Sequence, residues 1–183
     1  MRMLGIGVIR LKRRIKGKHL TLRLLRIRDL FTLCSIFRPE FFSDIGGAAI
    51  KFFGSPFSLW RWLRCTFHVF YMIERKRTSE HSIMGFIGLY DLDIGMRASL
   101  SVVLFDPRDR RQGYGREAVY LLMEFLEKAG LTKRIDVEVL KDNLASLMFL
   151  TKMGFTIQTE HGDYFLMAKE HDKVQTTQQV KGA

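Results

Sequence analysis

The stretch Arg110-Arg111-Gln112-Gly113-Tyr114-Gly115 joins two segments of different hydrophobic pattern. Before it lies an apolar run at residues 100–105, which predicts a strand, and after it residues 116–129 carry apolar side chains at helical spacing. The order strand, glycine loop, helix is typical of a loop that holds an anion. Backbone N–H groups converge in such a loop, and the helix adds about half a positive charge at its N-terminus.

Two glycines give this loop its freedom. Gly113 and Gly115 lack a Cβ atom, so the chain can adopt positive φ and a phosphate can approach the backbone closely. The alternative is that both glycines only make a tight strand-to-helix connection. The spacing excludes a Gly-x-x-x-x-Gly-Lys-Ser/Thr loop, and it also excludes a dinucleotide fingerprint, because Ala118 stands where the third glycine would be.

Composition predicts a globular protein with affinity for anions. The chain has 183 residues, of which 47% are hydrophobic, and a formal net charge of +11. That charge favours nucleic acid, a phosphate-bearing cofactor, a membrane surface or an acidic substrate as partner. The two cysteines and five histidines show no metal-ligand spacing, so we expect a cytoplasmic protein without a metal site.

Both ends of the chain differ from its middle. Residues 1–18 form a basic arm whose apolar run, residues 4–9, is too short for a signal peptide or a membrane span. We expect this arm to be disordered; the alternative is an arm that contacts RNA, a ribosome or anionic lipid. Residues 19–170 are predicted to form a single domain, and residues 171–183 a polar, disordered tail.

Hydrophobic patterns predict alternating strands and helices in the domain. Strands are expected at residues 20–25, 66–73, 83–89, 98–105 and 135–140, with a last hairpin around His161-Gly162-Asp163; helices are expected at residues 29–37, 56–64, 115–129 and 143–153. An aromatic-rich stretch at residues 52–71 is interpreted as core or as a wall of a substrate pocket, and it could also pack a homodimer.

A second motif accompanies the glycine loop. It consists of Asn143-Leu144-Ala145-Ser146, then Phe149, and finally Met153-Gly154-Phe155. Together with Arg110-x-x-Gly113-x-Gly115, it resembles the GCN5-related N-acetyltransferase family, and within it the ribosomal-protein alanine N-acetyltransferase subgroup. The resemblance covers about residues 20–169.

The resemblance implies a mixed α/β fold. Its central sheet would have six to seven strands, mostly antiparallel, with flanking helices and two splayed parallel strands at residues 99–105 and 135–140. Acetyl-CoA would lie between those two strands, with no metal. The residues implied to bind it are Leu104, Phe105, Arg110, Arg111, Gln112, Gly113, Tyr114, Gly115 and Asn143.

The implied reaction is acetyl transfer from acetyl-CoA to a primary amine, on a protein N-terminus or a small molecule, by direct attack. The tyrosine that often protonates the departing thiolate in this family is replaced by Leu150. In the subgroup a serine three residues after the motif asparagine has that role, which makes Ser146 the candidate acid; the alternative is a small residue on a helix face.

The general base is less defined. The strand glutamate of the family is replaced by Ser99, and Asp136 and Glu138 alternate onto one face of the next strand. Glu138 is the candidate base, with Asp136 as an alternative on the same face and Asp91 and Asp93, just past a strand end, as further alternatives. Asp136 and Glu138 could equally be surface or salt-bridge groups. The missing tyrosine and glutamate leave one alternative open, a degenerate module that binds CoA or a partner without catalysis.

Overall fold

The computed structural model describes residues 11–36, 69–76 and 83–171. They form one eight-stranded sheet with strand order β1-β2-β3-β4-β5-β6-β8-β7. Its strands are β1 Arg14–Lys16, β2 Leu20–Leu24, β3 Val69–Arg75, β4 Ile83–Asp93, β5 Met96–Leu104, β6 Thr132–Leu140, β7 Thr156–His161 and β8 Tyr164–Glu170. The helices are α1 Asp29–Ile36, α2 Tyr114–Lys128 and α3 Leu144–Lys152, with a 3₁₀ turn at Pro107–Asp109.

The main core lies between α2 and one face of the sheet. The buried residues of α2 recur every three or four positions (Ala118, Val119, Leu122, Met123, Phe125 and Leu126). They join a single cluster with alternate residues of the strands, such as Ile87, Leu100 and Ile135. The amphipathic pattern after the glycine loop therefore places α2, and with it the loop, directly over the centre of the sheet.

The sheet opens between β5 and β6. These strands are parallel, whereas every other neighbouring pair is antiparallel. Their pairing runs from Met96↔Thr132 to Ser99↔Asp136 and stops there, although both strands continue. Beyond this point β5 stays paired with β4 and β6 with β8, so the C-terminal halves of β5 and β6 border a gap.

A buried ion cluster links α1 to strands β2 and β3. The Arg23 guanidinium donates to the Asp29 carboxylate at 2.8 and 3.0 Å and to the Glu74 carboxylate at 2.5 Å. All three side chains are at most 7% exposed. Burial raises the pKa of the Asp29 carboxyl, but hydrogen bonds from Arg23 and the Arg26 N–H outweigh that effect and hold the pKa below its ordinary value.

The mixed α/β architecture and the two splayed parallel strands are confirmed, with one correction. The sheet has eight strands rather than six to seven, and the additional strand, β1, lies inside the arm that was expected to be disordered. Ile15 is buried, and Gly17 turns the chain back with its N–H donating to the Leu20 carbonyl at 2.9 Å. One buried apolar side chain and a tight turn therefore order residues that their charge alone marked as solvated.

Several predictions concern residues outside the described ranges. These are the remainder of the basic arm before residue 11, the helix at residues 56–64, most of the aromatic-rich stretch, and the tail after residue 171. The division into arm, domain and tail stays a prediction. Within the described part of the chain, no helix is long and apolar enough to cross a membrane.

Candidate functional site

The loop between β5 and α2 has the backbone of an anion site. Asp106 accepts a hydrogen bond from the Arg108 N–H at 2.8 Å and so starts the 3₁₀ turn, after which Arg111 and Gly113 both adopt left-handed conformations, with φ of 61° and 89°. Left-handed residues next to right-handed ones turn successive N–H groups toward one side. The first N–H groups of α2, from Tyr114 on, have no acceptor within the helix. The loop and the helix start therefore present donors together.

The two glycines serve different purposes. A Cβ atom at Gly113 would meet nothing within 4 Å, so its left-handed φ alone calls for glycine there. At Gly115 a Cβ atom would lie 3.9 Å from Phe149 Cζ and 4.0 Å from Leu104 Cδ1. Gly115 is thus the point where α2 meets both α3 and β5, and the two sequence motifs are neighbours in space.

Asn143 and Ser146 lie at the start of α3. The Asn143 side-chain oxygen caps this helix by accepting a hydrogen bond from the Ser146 N–H at 3.1 Å. Because β5 and β6 are parallel, their C-terminal ends lie at the same edge of the sheet. The glycine loop follows β5 and Asn143 follows β6, so the fold places the two motifs on either side of the gap. The Ser146 side chain is half-buried there.

Leu104 and Phe105, at the end of β5, were both expected to bind the cofactor, but their backbone N–H groups point in opposite directions. The Phe105 N–H donates to the Met84 carbonyl of β4 at 2.9 Å, so it points away from the gap. Successive peptide groups of a strand point to opposite sides, which directs the N–H of Leu104 toward the gap. The backbone N–H of Leu104 is therefore available to a ligand between β5 and β6. The Phe105 N–H is not, because it is already bonded to β4.

Polar side chains line the face of the gap opposite to α2. Ser99 and Asp136 form the last pair of β5 and β6, and two residues further along each strand stand Ser101 and Glu138, on the same face. Asp136 is buried and paired, since Arg134 Nε lies 2.6 Å and Arg97 Nη1 lies 3.8 Å from its carboxylate. Glu138 is exposed. Of these two carboxylates, Glu138 is the one open to an incoming acceptor.

Two other carboxylates lie at the wrong end of the sheet. Asp91 and Asp93 belong to the end of β4 that precedes the turn into β5, and Asp93 pairs in register with Arg97. The glycine loop is at the opposite end of β5. The structure therefore does not bring Asp91 or Asp93 to the gap.

Sequence reasoning missed a tyrosine on this face. The Tyr90 hydroxyl of β4 is hydrogen-bonded to Ser101, and its ring packs edge-on against Phe70 with 5.2 Å between centroids. Burial raises the pKa of Tyr90 to about 12, partly offset by the Ser101 hydrogen bond. Tyr90 is therefore a neutral phenol at physiological pH. No spacing signal could have found it, because its partner lies on a neighbouring strand.

Comparisons with known proteins assign the family. A family model described as an acetyltransferase (GNAT) domain matches residues 19–156. The chain belongs to this acetyltransferase family. No match was found among curated protein sequences.

Solved structures share the GNAT fold at low sequence identity. The ribosomal-protein-S5-alanine acetyltransferase of Vibrio fischeri is 19% identical, with a TM-score of 0.70 over 87% of this chain and 97% of that chain. A ribosomal L7/L12 α-N-protein acetyltransferase in complex with coenzyme A is 15% identical, with a TM-score of 0.72 over 86% and 97%. The microcin C7 self-immunity acetyltransferase, in complex with acetyl-CoA and AMP, is 15% identical, with a TM-score of 0.67 over 85% and 94%.

The donor set of this GNAT domain suits an organic anion. Loop amides, helix N-terminal amides and the Leu104 backbone are neutral donors and acceptors, which match a pyrophosphate and an amide-containing arm. Among the described residues, no group of three or more His, Cys, Asp or Glu side chains could hold a metal ion.

Proposed function

We propose that this GNAT protein transfers the acetyl group of acetyl-CoA to a primary amine, on a protein N-terminus or a small molecule, by direct attack. One observation carries the proposal: the loop at the start of α2, in which Arg111 and Gly113 are left-handed, stands beside the gap between β5 and β6. The loop suits the pyrophosphate of CoA, and the gap suits its extended arm. Family membership and neighbours solved with coenzyme A or acetyl-CoA support the same cosubstrate.

The acetyl group would then lie near the face that carries Ser101 and Glu138. An amine attacks a thioester only when it is neutral, so its proton must leave. Glu138 accepts this proton in our proposal, directly or through a water molecule. Asp136 is unsuited to the task, because Arg134 and Arg97 already pair with it.

The CoA thiolate leaves when the tetrahedral intermediate collapses. In our proposal the Ser146 hydroxyl, in the first turn of α3 beside the gap, donates a hydrogen bond to the departing sulfur and passes a proton to it while taking up a proton from water. The buried Leu150 leaves no phenol at the position where the family often has a tyrosine. Proximity of the bound thioester and amine would contribute much of the remaining acceleration.

The acceptor is proposed as a class. Two neighbours are by name acetyltransferases of ribosomal proteins, and another derives from a spermidine N-acetyltransferase. These names favour a protein N-terminal amine or a polyamine as first acceptors to assay. Contact of the basic arm with RNA or a ribosome, a homodimer and a cytoplasmic location stay predictions.

Calorimetric titration with acetyl-CoA tests the cosubstrate without knowledge of the acceptor. We expect binding at tens of micromolar or tighter, and loss of binding in Gly113→Glu, which puts bulk and negative charge into the loop. A folded wild-type protein that shows no heat of binding at these concentrations contradicts the proposal. Thiol release with a panel of amines then identifies the acceptor, and Glu138→Gln should lower the rate about a hundredfold if Glu138 is the base.

A further inference from the structure

Arg75, the last residue of β3, touches the glycine loop on both of its sides. Its guanidinium forms an ion pair with Asp109, which precedes the loop, and lies 5.3 Å from the centroid of the Tyr114 ring, which follows it. A third contact anchors the arginine to the sheet, since Nε donates to Met84 Sδ at 3.3 Å. Only four residues, 110–113, separate the two loop contacts.

Two features of this loop are unfavourable without a stabilising contact: the conformation of Arg111 and the charge of Asp109. Arg111 is not a glycine, and a left-handed conformation costs such a residue about 1–2 kcal/mol. Asp109 is a carboxylate next to a site meant for an anion, and at short range like charges repel strongly in a partly buried setting. The Asp109 side chain is 16% exposed, so solvent screens it poorly.

We propose that Arg75 is a positioning residue for the CoA loop: it holds Asp109 and Tyr114 in place and neutralises the Asp109 charge. This inference rests on the proposed CoA binding. Arg75 belongs to a strand outside both sequence motifs, and it acts on the cosubstrate through the loop rather than on the reacting atoms.

Calorimetric titration of the full chain with CoA tests the proposal. We expect Arg75→Met to weaken CoA binding about tenfold. Arg75→Met/Asp109→Asn should recover most of that loss, to within about threefold of wild type, because the unpaired carboxylate is gone. Recovery by a second substitution is not expected if Arg75 merely supports the fold.

Arg14→Met is the matched control. Arg14 is also partly exposed, and its guanidinium lies 3.7 Å from the carboxylate of Glu74, the neighbour of Arg75 in β3. Glu74 lies on the face of the sheet opposite to Arg75. In this variant Glu74 keeps Arg23 as a partner. We expect this variant to bind CoA like wild type. Thermal unfolding of each variant shows that it is folded.

The outcomes separate the two proposals. A folded wild type that does not bind CoA overturns the proposed function itself. Wild-type affinity in Arg75→Met, or equal weakening in Arg14→Met, overturns the role of Arg75. A double variant as weak as Arg75→Met overturns the neutralisation of Asp109. If Arg75→Met does not fold, Arg75→Lys replaces it: the charge remains but the planar group over Tyr114 is lost, and about threefold weaker binding is expected.

Discussion

Replacing Gly113 by alanine isolates the contribution of one backbone conformation to CoA binding. The glycine has φ 89° and ψ −8°, and a Cβ atom there would meet nothing within 4 Å. No clash arises, so the perturbation is the strain of a left-handed alanine, about 1–2 kcal/mol. Because open space surrounds the position, the free loop can relax out of this conformation, and the strain must then be overcome when CoA binds.

The expected result follows from that free energy. A cost of 1–2 kcal/mol against binding corresponds to a dissociation constant for CoA about 5- to 30-fold higher. Calorimetric titration measures this constant, and thermal unfolding of the free protein should change little, because the relaxed loop carries little strain.

Gly95 provides the control, since it differs in location rather than in conformation. It has φ 77° and open space around a Cβ atom, but it lies in the turn between β4 and β5, at the end of β5 away from the loop. Its N–H donates to the Leu131 carbonyl at 2.8 Å, which holds the turn in place. Gly95→Ala should therefore lower the melting temperature by about 2–8 °C and leave CoA affinity unchanged. Unchanged affinity in Gly113→Ala, or the same loss of affinity in both variants, would refute the reasoning.

Three further results are expected. Ser146→Ala should lower the rate of thiol release at saturating acetyl-CoA about a hundredfold, with CoA affinity unchanged, because the Ser146 N–H still donates to Asn143; an unchanged rate removes Ser146 as the acid. Arg23→Met should cost about 3–5 kcal/mol in urea unfolding, because Asp29 would remain buried without its guanidinium partner and Glu74 would keep Arg14 at 3.7 Å; a loss below 1 kcal/mol contradicts this. In the wild type, the pKa of Asp29 is lower in the folded than in the unfolded chain, so its contribution to stability is complete above about pH 4 and falls as the pH drops toward the folded pKa. Urea midpoints between pH 6 and pH 3 should show this decrease, and it should be smaller in Asp29→Asn.

Local pattern was sufficient for most of the elements. The helix predicted at residues 143–153 is found as α3 with Asn143 and Met153 as its caps, and α2 begins one residue before the prediction. The hairpin around Gly162 is also confirmed, with φ 54° at the glycine. These features depend on hydrophobic period, capping and turn chemistry, all of which act over a few neighbouring residues.

Charge misled the sequence interpretation where tertiary contacts outweigh it. Residues 14–16 were expected to belong to a disordered basic arm, yet the burial of Ile15 and pairing with β2 order them as β1. The Asp29 carboxylate binds Arg23, a contact that the helical pattern of residues 29–37 does not predict. In both cases the deciding partner lies on another strand, and a linear pattern carries no record of it.

The sequence alone determined the glycine loop before α2 and the capped start of α3, because these are short segments whose backbone geometry follows from local residue types. Tertiary structure decided which groups stand around them. It turned the Leu104 peptide toward the gap and the Phe105 N–H toward β4, paired Asp136 with Arg134, left Glu138 open, and brought Arg75 against the loop from β3. These assignments depend on which strands are neighbours, and that is a property of the whole sheet.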